Sequence, residues 1–297
     1  MAPEILYALC GVVAFTSASF LFRAVTHRTS PLWMNAFKAS SAALAFFIWA
    51  SVEGMLKGWP SPPVLAVALF LVSGLLGLNI SDWFMLRSYA RIGPARTMIV
   101  YRFQPLYLGA MAYFFLGQTL SPSQLFAVLL LIGCVVVLSH EGKRNHGKWD
   151  LAGVGIAFTG MMLDGTGVLI SRVGFDLVPG LGTAQANVIR CGGALLGFLA
   201  ISLWKRPKGL ALRETFIQLG SKYQFMAVFG SIFGTFLGLF LWLKALSMGN
   251  VAQISAMGGL APVIAILIES ALSRKWPGGH ALVALVLCLC GMALLIS

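Results

Sequence analysis

Five charged side chains stand inside long apolar runs of this chain: Lys38, Asp82, Arg102, Asp164 and Arg190. A charge in hydrocarbon costs roughly 2.5–3.5 kcal/mol on insertion scales, so such residues are expected to pair with one another or to meet a ligand in a wet cavity. Pairing Asp164 with Arg190, and Asp82 with Lys38 or Arg102, leaves one cation over. Arg102 is that surplus. It lies in "MIVYRFQPLY" (98–107), flanked by Tyr101 and Gln104. A guanidinium fork can hold a carboxylate or phosphate through two hydrogen bonds. Pro105 brings no amide donor, so the Tyr101 carbonyl one turn back can accept from solute or water. The competing expectation is that Arg102 snorkels to the membrane surface.

Other polar and aromatic residues extend this set. Asn79 lies one turn from Asp82, and Trp83 and Trp242 could supply stacking walls. The candidate substrate contacts are therefore Lys38, Asn79, Asp82, Trp83, Tyr101, Arg102, Gln104, Asp164, Arg190 and Trp242. Pro105 and Pro262, the latter after Gly258 and Gly259, are candidate hinges. Asp164 could also titrate and couple proton movement to transport. The five cysteines fall in apolar runs without metal-ligand spacing and read as packing residues, so no metal or cofactor is expected. Two membrane aspartates raise the thought of an intramembrane enzyme. "SDWF" and "LDGTG" do not resemble aspartyl protease signatures, and the four histidines lie in or beside the connections rather than deep in a span for general-base work, so no enzyme is expected.

The elements that must position these residues are membrane helices. The chain has 297 residues, 59% of them hydrophobic and only 10% charged, with a mean hydropathy of +0.88. That excludes an ordinary soluble globule. Apolar runs long enough to span a bilayer recur at about 5–22, 33–52, 64–86, 95–116, 124–138, 151–171, 183–204, 223–243, 251–272 and 279–296. Turn chemistry such as "WPSPP" (59–63) and "PGLG" (179–182) separates them. The first run has no basic residue before it, so it reads as a retained helix. The net charge of +12 records topology rather than nucleic-acid binding. Of 21 Lys and Arg, fifteen lie in the odd-numbered connections and three (Lys57, Arg172, Lys244) on the other side. Basic loops stay cytoplasmic, which places both termini outside. The expected location is a bacterial plasma membrane, with the bilayer and a small molecule as partners and a monomer or homodimer as the assembly.

The two halves are weakly alike. "NAFK" (35–38) aligns with "NVIR" (187–190), "MLR" (85–87) with "WLK" (242–244), and Pro105 with Pro262. Five helices per half is an odd number, so the second copy must be inverted, an arrangement of secondary transporters. The bridges "SYARIGPAR" and "KALSMGNVAQ" and the stretch "PLYLGAMAYFFLGQTLSPSQLFAVLLLIGCVVVL" (105–138) resemble the EamA type of the drug/metabolite transporter superfamily. That resemblance implies an all-α polytopic membrane protein of ten helices, two inverted five-helix repeats over residues 1–140 and 141–297 around a central cavity. It also implies efflux of a small polar metabolite such as an amino acid or organic anion. A flippase for a lipid or lipid-linked phosphate headgroup on the same fold is the alternative. Two features depart from the family pattern. Gln118 stands where an acidic residue is usual, and the loop charges oppose the family's usual cytoplasmic termini. No Walker motif accompanies these features, so drive by ATP within this chain is not expected.

Overall fold

The structure, a computed structural model, describes residues 2–57, 61–92, 97, 100–101, 103–117, 121–123, 125–130, 132–133, 150–204, 210–273, 283, 286–287, 290–291 and 294. These residues are helical throughout, with short turns and no strand among them. Helices α1 (Pro3–Thr26) and α2 (Pro31–Lys57) each begin on proline, whose missing amide costs nothing in a first turn. Next comes a long rod: α3 (Val64–Gly74), a π turn (Leu75–Ser81) and α4 (Asp82–Ile92). Helix α5 (Gln104–Leu116) stops where Gly117 takes φ 62°. The second half opens with α6 (Leu151–Leu177), capped by Asp150 accepting from the Ala152 amide at 3.0 Å. Then follow α7 (Thr183–Trp204), a short α8 (Leu212–Gln218), and a second rod of α9 (Ser221–Gly230), π turn (Ser231–Leu237) and α10 (Gly238–Met248). Helix α11 (Val251–Met257) runs through a 3₁₀ turn (Gly258–Leu260) into α12 (Ala261–Ser273).

Five helices among the described residues are long and apolar enough to cross a membrane: Pro3–Thr26, Val64–Met85, Leu151–Leu177, Thr183–Trp204 and Ser221–Met248. The sequence spans at 151–171 and 223–243 end too early. Helix α6 runs on past Arg172 and α10 past Lys244, and the two terminal nitrogens of the Arg172 guanidinium find partners inside the protein. Its Nη1 donates to the Leu246 carbonyl at 2.8 Å, and its Nη2 meets Asp176 at 3.3 Å. Between the sequence spans 183–204 and 223–243 lies α8. Large apolar side chains such as Leu44, Phe47, Ile48 and Trp49 on α2 face outward, as a lipid-facing surface requires.

The two rods organise the bundle. Helix α6 packs on the first rod through Gly153, Gly160, Gly167 and Gly174, spaced seven apart along one face. Cβ atoms there would meet Ile92, Phe84, the Ser73 carbonyl and Phe70 in turn, so the two elements run antiparallel. Three rod serines donate to carbonyls of that glycine face: Ser88 to Gly153 (3.2 Å), Ser81 to Gly160 (3.0 Å) and Ser73 to Gly167 (2.6 Å). Ser88 and Ser81 are seven residues apart, but Ser81 and Ser73 are eight. The π turn absorbs the extra residue, because its i→i+5 winding adds one residue without breaking the helix.

The second rod receives α1 in the same way. Gly230, Gly234 and Gly238, four residues apart, face Phe22, Ala18 and Phe15 and form its packing stripe. Arg28 after α1 lies over the Tyr223 ring of α9, with 5.4 Å to its centroid. Arg91 near the end of α4 binds Asp150 before α6 at 2.7 Å. Each half's first helix therefore lies antiparallel against the other half's rod. Helix α7 also meets the first rod backbone to backbone, at Gly74 and Gly193.

Two predictions follow from this packing. A methyl at Gly74 would overlap the Arg190 carbonyl, and one at Gly193 the Leu71 carbonyl. Gly74→Ala and Gly193→Ala should each lower unfolding stability by roughly 1–3 kcal/mol. Gly155→Ala, with open space around it, should be neutral or stabilising by up to about 1 kcal/mol. Thermal unfolding in detergent reads the contrast, and equal effects at all three sites would contradict the packing. At the exposed end of α6, the Arg91 guanidinium holds the Asp150 carboxyl below the ordinary carboxylate range. A depressed native value stabilises above the unfolded value and is lost as pH falls through the native one. The gap in Tm between wild type and Asp150→Asn should be present at neutral pH and close below about pH 4.

Candidate functional site

Between the halves lies a cavity of 310 Å³, at the lower end of the size of small-molecule sites, about 300–1,000 Å³. Residues from α1, α2, the first π turn, α6, α7, the second rod and the Gly258 turn line it. The packing above places it there. Glycine contacts bring the backbones together outside the cavity, and the longer side chains of the same helices are left to surround it. Its apolar wall includes Val12, Phe15, Leu78, Leu239 and Trp242, and its polar wall includes Lys38, Asp82, Gln104, Asp164 and Arg190. A further cavity of 120 Å³ shares Phe22, Asn35, Lys38 and Asp82 with it, and reaches Thr26 and Met85 toward the face bearing Arg28 and Arg91.

The expected charges converge, though not in the expected pairs. Lys38 Nζ and Asp82 Oδ2 form an ion pair at 3.5 Å. Asp164 and Arg190 form no contact ion pair among the described residues. Each has another partner. Gln104 Nε2 donates to Asp164 Oδ2 at 2.6 Å, and Arg190 Nε donates to Ser73 Oγ at 3.0 Å. Ser73 also donates to Gly167 and touches Ser171 Oγ at 2.6 Å, so the seam that joins α6 to the first rod also orients Arg190. Arg190 is 3% exposed and its Nη1 has no partner among the described residues.

The remaining candidates separate. Trp242 lines the central cavity and a 60 Å³ annex that Tyr101, Gln104 and Pro105 also border. Asn79 does not reach the cavity. It packs on Gly197 and donates to the Ala194 carbonyl at 3.2 Å. In an α-helix Asn79 and Asp82 would share a face, but the wider π winding between them turns them apart. Trp83 lies outside, 40% exposed, beneath the Arg87 guanidinium at 4.2 Å and edge-on to Phe84. Pro105 sits in the first turn of α5, after a turn at Phe103, rather than within a continuous helix. Pro262 occupies the matching second position of α12, behind the 3₁₀ turn. Arg102 and Gln118 lie outside the described residues.

Several lining residues went unnamed in the sequence reading. Thr16, Asn35, Thr235 and Ser255 are buried cavity residues. Thr16 Oγ1, Asn35 Oδ1 and Ser255 Oγ have no partner among the described residues. Asn35 carried a signal, since it belongs to the repeated "NAFK" motif. A lone hydroxyl in an apolar run carries none.

The Lys38–Asp82 pair yields a prediction. Lys38→Met leaves a half-buried carboxylate uncompensated, and adding Asp82→Asn removes it. The double variant should be more stable than the single, with a coupling of about 0.5–3 kcal/mol by thermal unfolding. Additive losses would show that the two groups do not interact.

Comparison with known proteins places this geometry. No curated protein matches the chain. One solved protein crystal structure, 17% identical, superposes with a TM-score of 0.77 over 98% of this chain and 95% of its own. That likeness shows a shared fold. The sequence profile described as the EamA-like transporter family matches twice, over residues 2–139 and 151–297. With its apolar helices and these two matches, the chain is an integral multi-pass membrane protein of the EamA-like transporter family.

Proposed function

We propose that this protein is a secondary transporter that moves a small polar solute by alternating access of the 310 Å³ cavity. On this reading ten helices form two inverted five-helix repeats, residues 1–140 and 141–297, and the cavity between them is the substrate site. The observation that carries it is the composition of that cavity. Polar side chains from both halves converge on it, Lys38, Asp82 and Gln104 from the first and Asp164, Arg190 and Thr235 from the second. Groups this expensive in a membrane are retained where they meet a solute.

A difference between the halves supports alternation. Asn35 and Asn187 hold the same place in the two repeats. Asn35 Nδ2 donates to the Leu78 carbonyl in the first π turn at 3.4 Å. Asn187 is fully buried, and neither amide atom has a partner among the described residues. The matched asparagines thus sit in unlike surroundings, as expected of two halves that exchange conformations in alternating access. The 120 Å³ extension leads toward the Arg28 and Arg91 face. With that basic face cytoplasmic, the cavity loads from inside, as export requires. The breaks before Pro105 and Pro262 are matched hinges in this reading.

Counterflow in proteoliposomes tests it. The panel holds amino acids, carboxylates, sugar phosphates and organic cations, each trapped inside and followed by uptake of its labelled form. At least one solute should show saturable counterflow. Thr235→Trp, which fills the cavity from the second rod, should remove at least nine-tenths of it in a protein that remains monodisperse. Flux that survives the filled cavity would overturn the assignment of the site.

A further inference from the structure

The two seams share one register. Gly160 of α6 lies against Ser81 of the first rod, and Gly11 of α1 against Gly238 of the second. In the same way Gly167 meets Gly77 and Ala18 meets Gly234, while Gly153 meets Ile92 and Glu4 meets Gly249. In all three matches the helix positions are 149 residues apart and the rod positions 157. That register carries Arg172 of α6 onto Arg23 of α1. It also carries Leu246 and Gly249, at the end of the second rod, onto Tyr89 and Ile92 at the end of the first.

Arg172 ties the two seams together at the face opposite the basic one. It lies 21 residues beyond Leu151, about 32 Å along α6 from the Arg91–Asp150 contact. Its Nη1 donates to the Leu246 and Gly249 carbonyls at 2.8 and 3.4 Å, and Asp176 on α6 holds its Nη2 at 3.3 Å. Carbonyls at the end of a helix lack helical partners and carry partial negative charge, so they suit a cation. Helix α6 is joined to the first rod and α10 belongs to the second, so these bonds cross from one seam to the other. At the basic end the counterpart space is a passage. The 120 Å³ cavity there runs between Phe22 and Thr26 of α1 and Asp82 and Met85 of α4. The register carries these residues onto Ser171, Phe175, Leu239 and Trp242, on the two helices that Arg172 bridges.

We propose that Arg172 latches the face opposite the basic one, and that Arg23 latches the basic face in the other conformation. Here the Arg172 latch is shut and the passage leads to the basic face. When it releases, the first rod with α6 parts from the second rod with α1 at that end. The basic ends then close, and Arg23 bonds the end of α4 at Tyr89 and Ile92. One arginine latch replaces the other, which keeps the two conformations close in free energy, as alternation requires. Bonds to neutral carbonyls also break at less cost than a buried ion pair. The inference rests on the alternating-access reading above and supplies its two gates.

The test places spin labels at Leu177→Cys and Met248→Cys, exposed positions at the ends of α6 and α10. It uses full-length protein in nanodiscs with the five native cysteines replaced. Pulsed electron resonance should find the otherwise wild-type protein mostly at a short distance. Arg172→Met should raise the ratio of long to short distances about ten-fold, the effect of losing one charge-assisted hydrogen bond. Adding Arg23→Met should lower that ratio again by about as much. If Arg172→Met does not stay monodisperse, Arg172→Lys decides. A single ammonium cannot hold both carbonyls and Asp176 as the fork does, so a rise of the same sign is expected. The inference is overturned if a folded Arg172 variant keeps the original ratio, or if Arg23→Met leaves the rise in place or adds to it. Saturable counterflow in a protein whose distances ignore Arg172 would remove the latch and leave the carrier standing.

Discussion

The seam between α6 and the first rod is the contact on which the rest of this structure depends. In a membrane no hydrophobic effect drives helices together, so association relies on close backbone approach and hydrogen bonds. The four heptad glycines of α6 provide the approach, and Ser88, Ser81 and Ser73 provide the bonds. Both depend on register. Without the π turn at Leu75–Ser81, Ser73 would be one residue out of step with Gly167. Ser73 would then miss Arg190 as well. The irregularity in the rod therefore aligns the packing seam and the charged wall at once.

The second rod carries its own π turn at the corresponding place, and Thr235 within it faces the same cavity. A π turn is a local irregularity of winding of a kind frequent at functional sites. Two such turns on opposite walls of the cavity, with breaks before Pro105 and Pro262 beside it, put the deformable parts of the bundle next to the proposed site. The glycine seams are the rigid parts. Each seam joins one half to the other, so a motion that keeps both intact would move the first rod with α6 against the second rod with α1 and change the cavity between them.

Much of this was legible in the sequence. The class, the family and most of the charged wall follow from apolar runs, repeated motifs and costly membrane charges. Lys38, Asp82, Gln104, Asp164, Arg190 and Trp242 all line the cavity. The glycine heptad of α6 was also readable, but its spacing carries meaning only with a partner face in view. What could not be read was winding. Asn79 and Asp82 part company because of a π turn, which no residue pattern announces. Pairing also could not be read, since Gln104 and Ser73, both neutral, take the places that opposite charges were expected to fill. Hydroxyls such as Thr16 and Ser255 look in sequence like any other in an apolar helix.

The central claim is that one cavity between two halves opens to the two faces in turn. The most direct measurement is the distance between spin labels at Thr26→Cys and Met85→Cys, which flank the passage toward the basic face. It requires a background in which the five native cysteines are replaced. By pulsed electron resonance in nanodiscs the account predicts two distance populations, with a transported solute changing their ratio. A single population, unmoved by any solute that the protein carries, would contradict it.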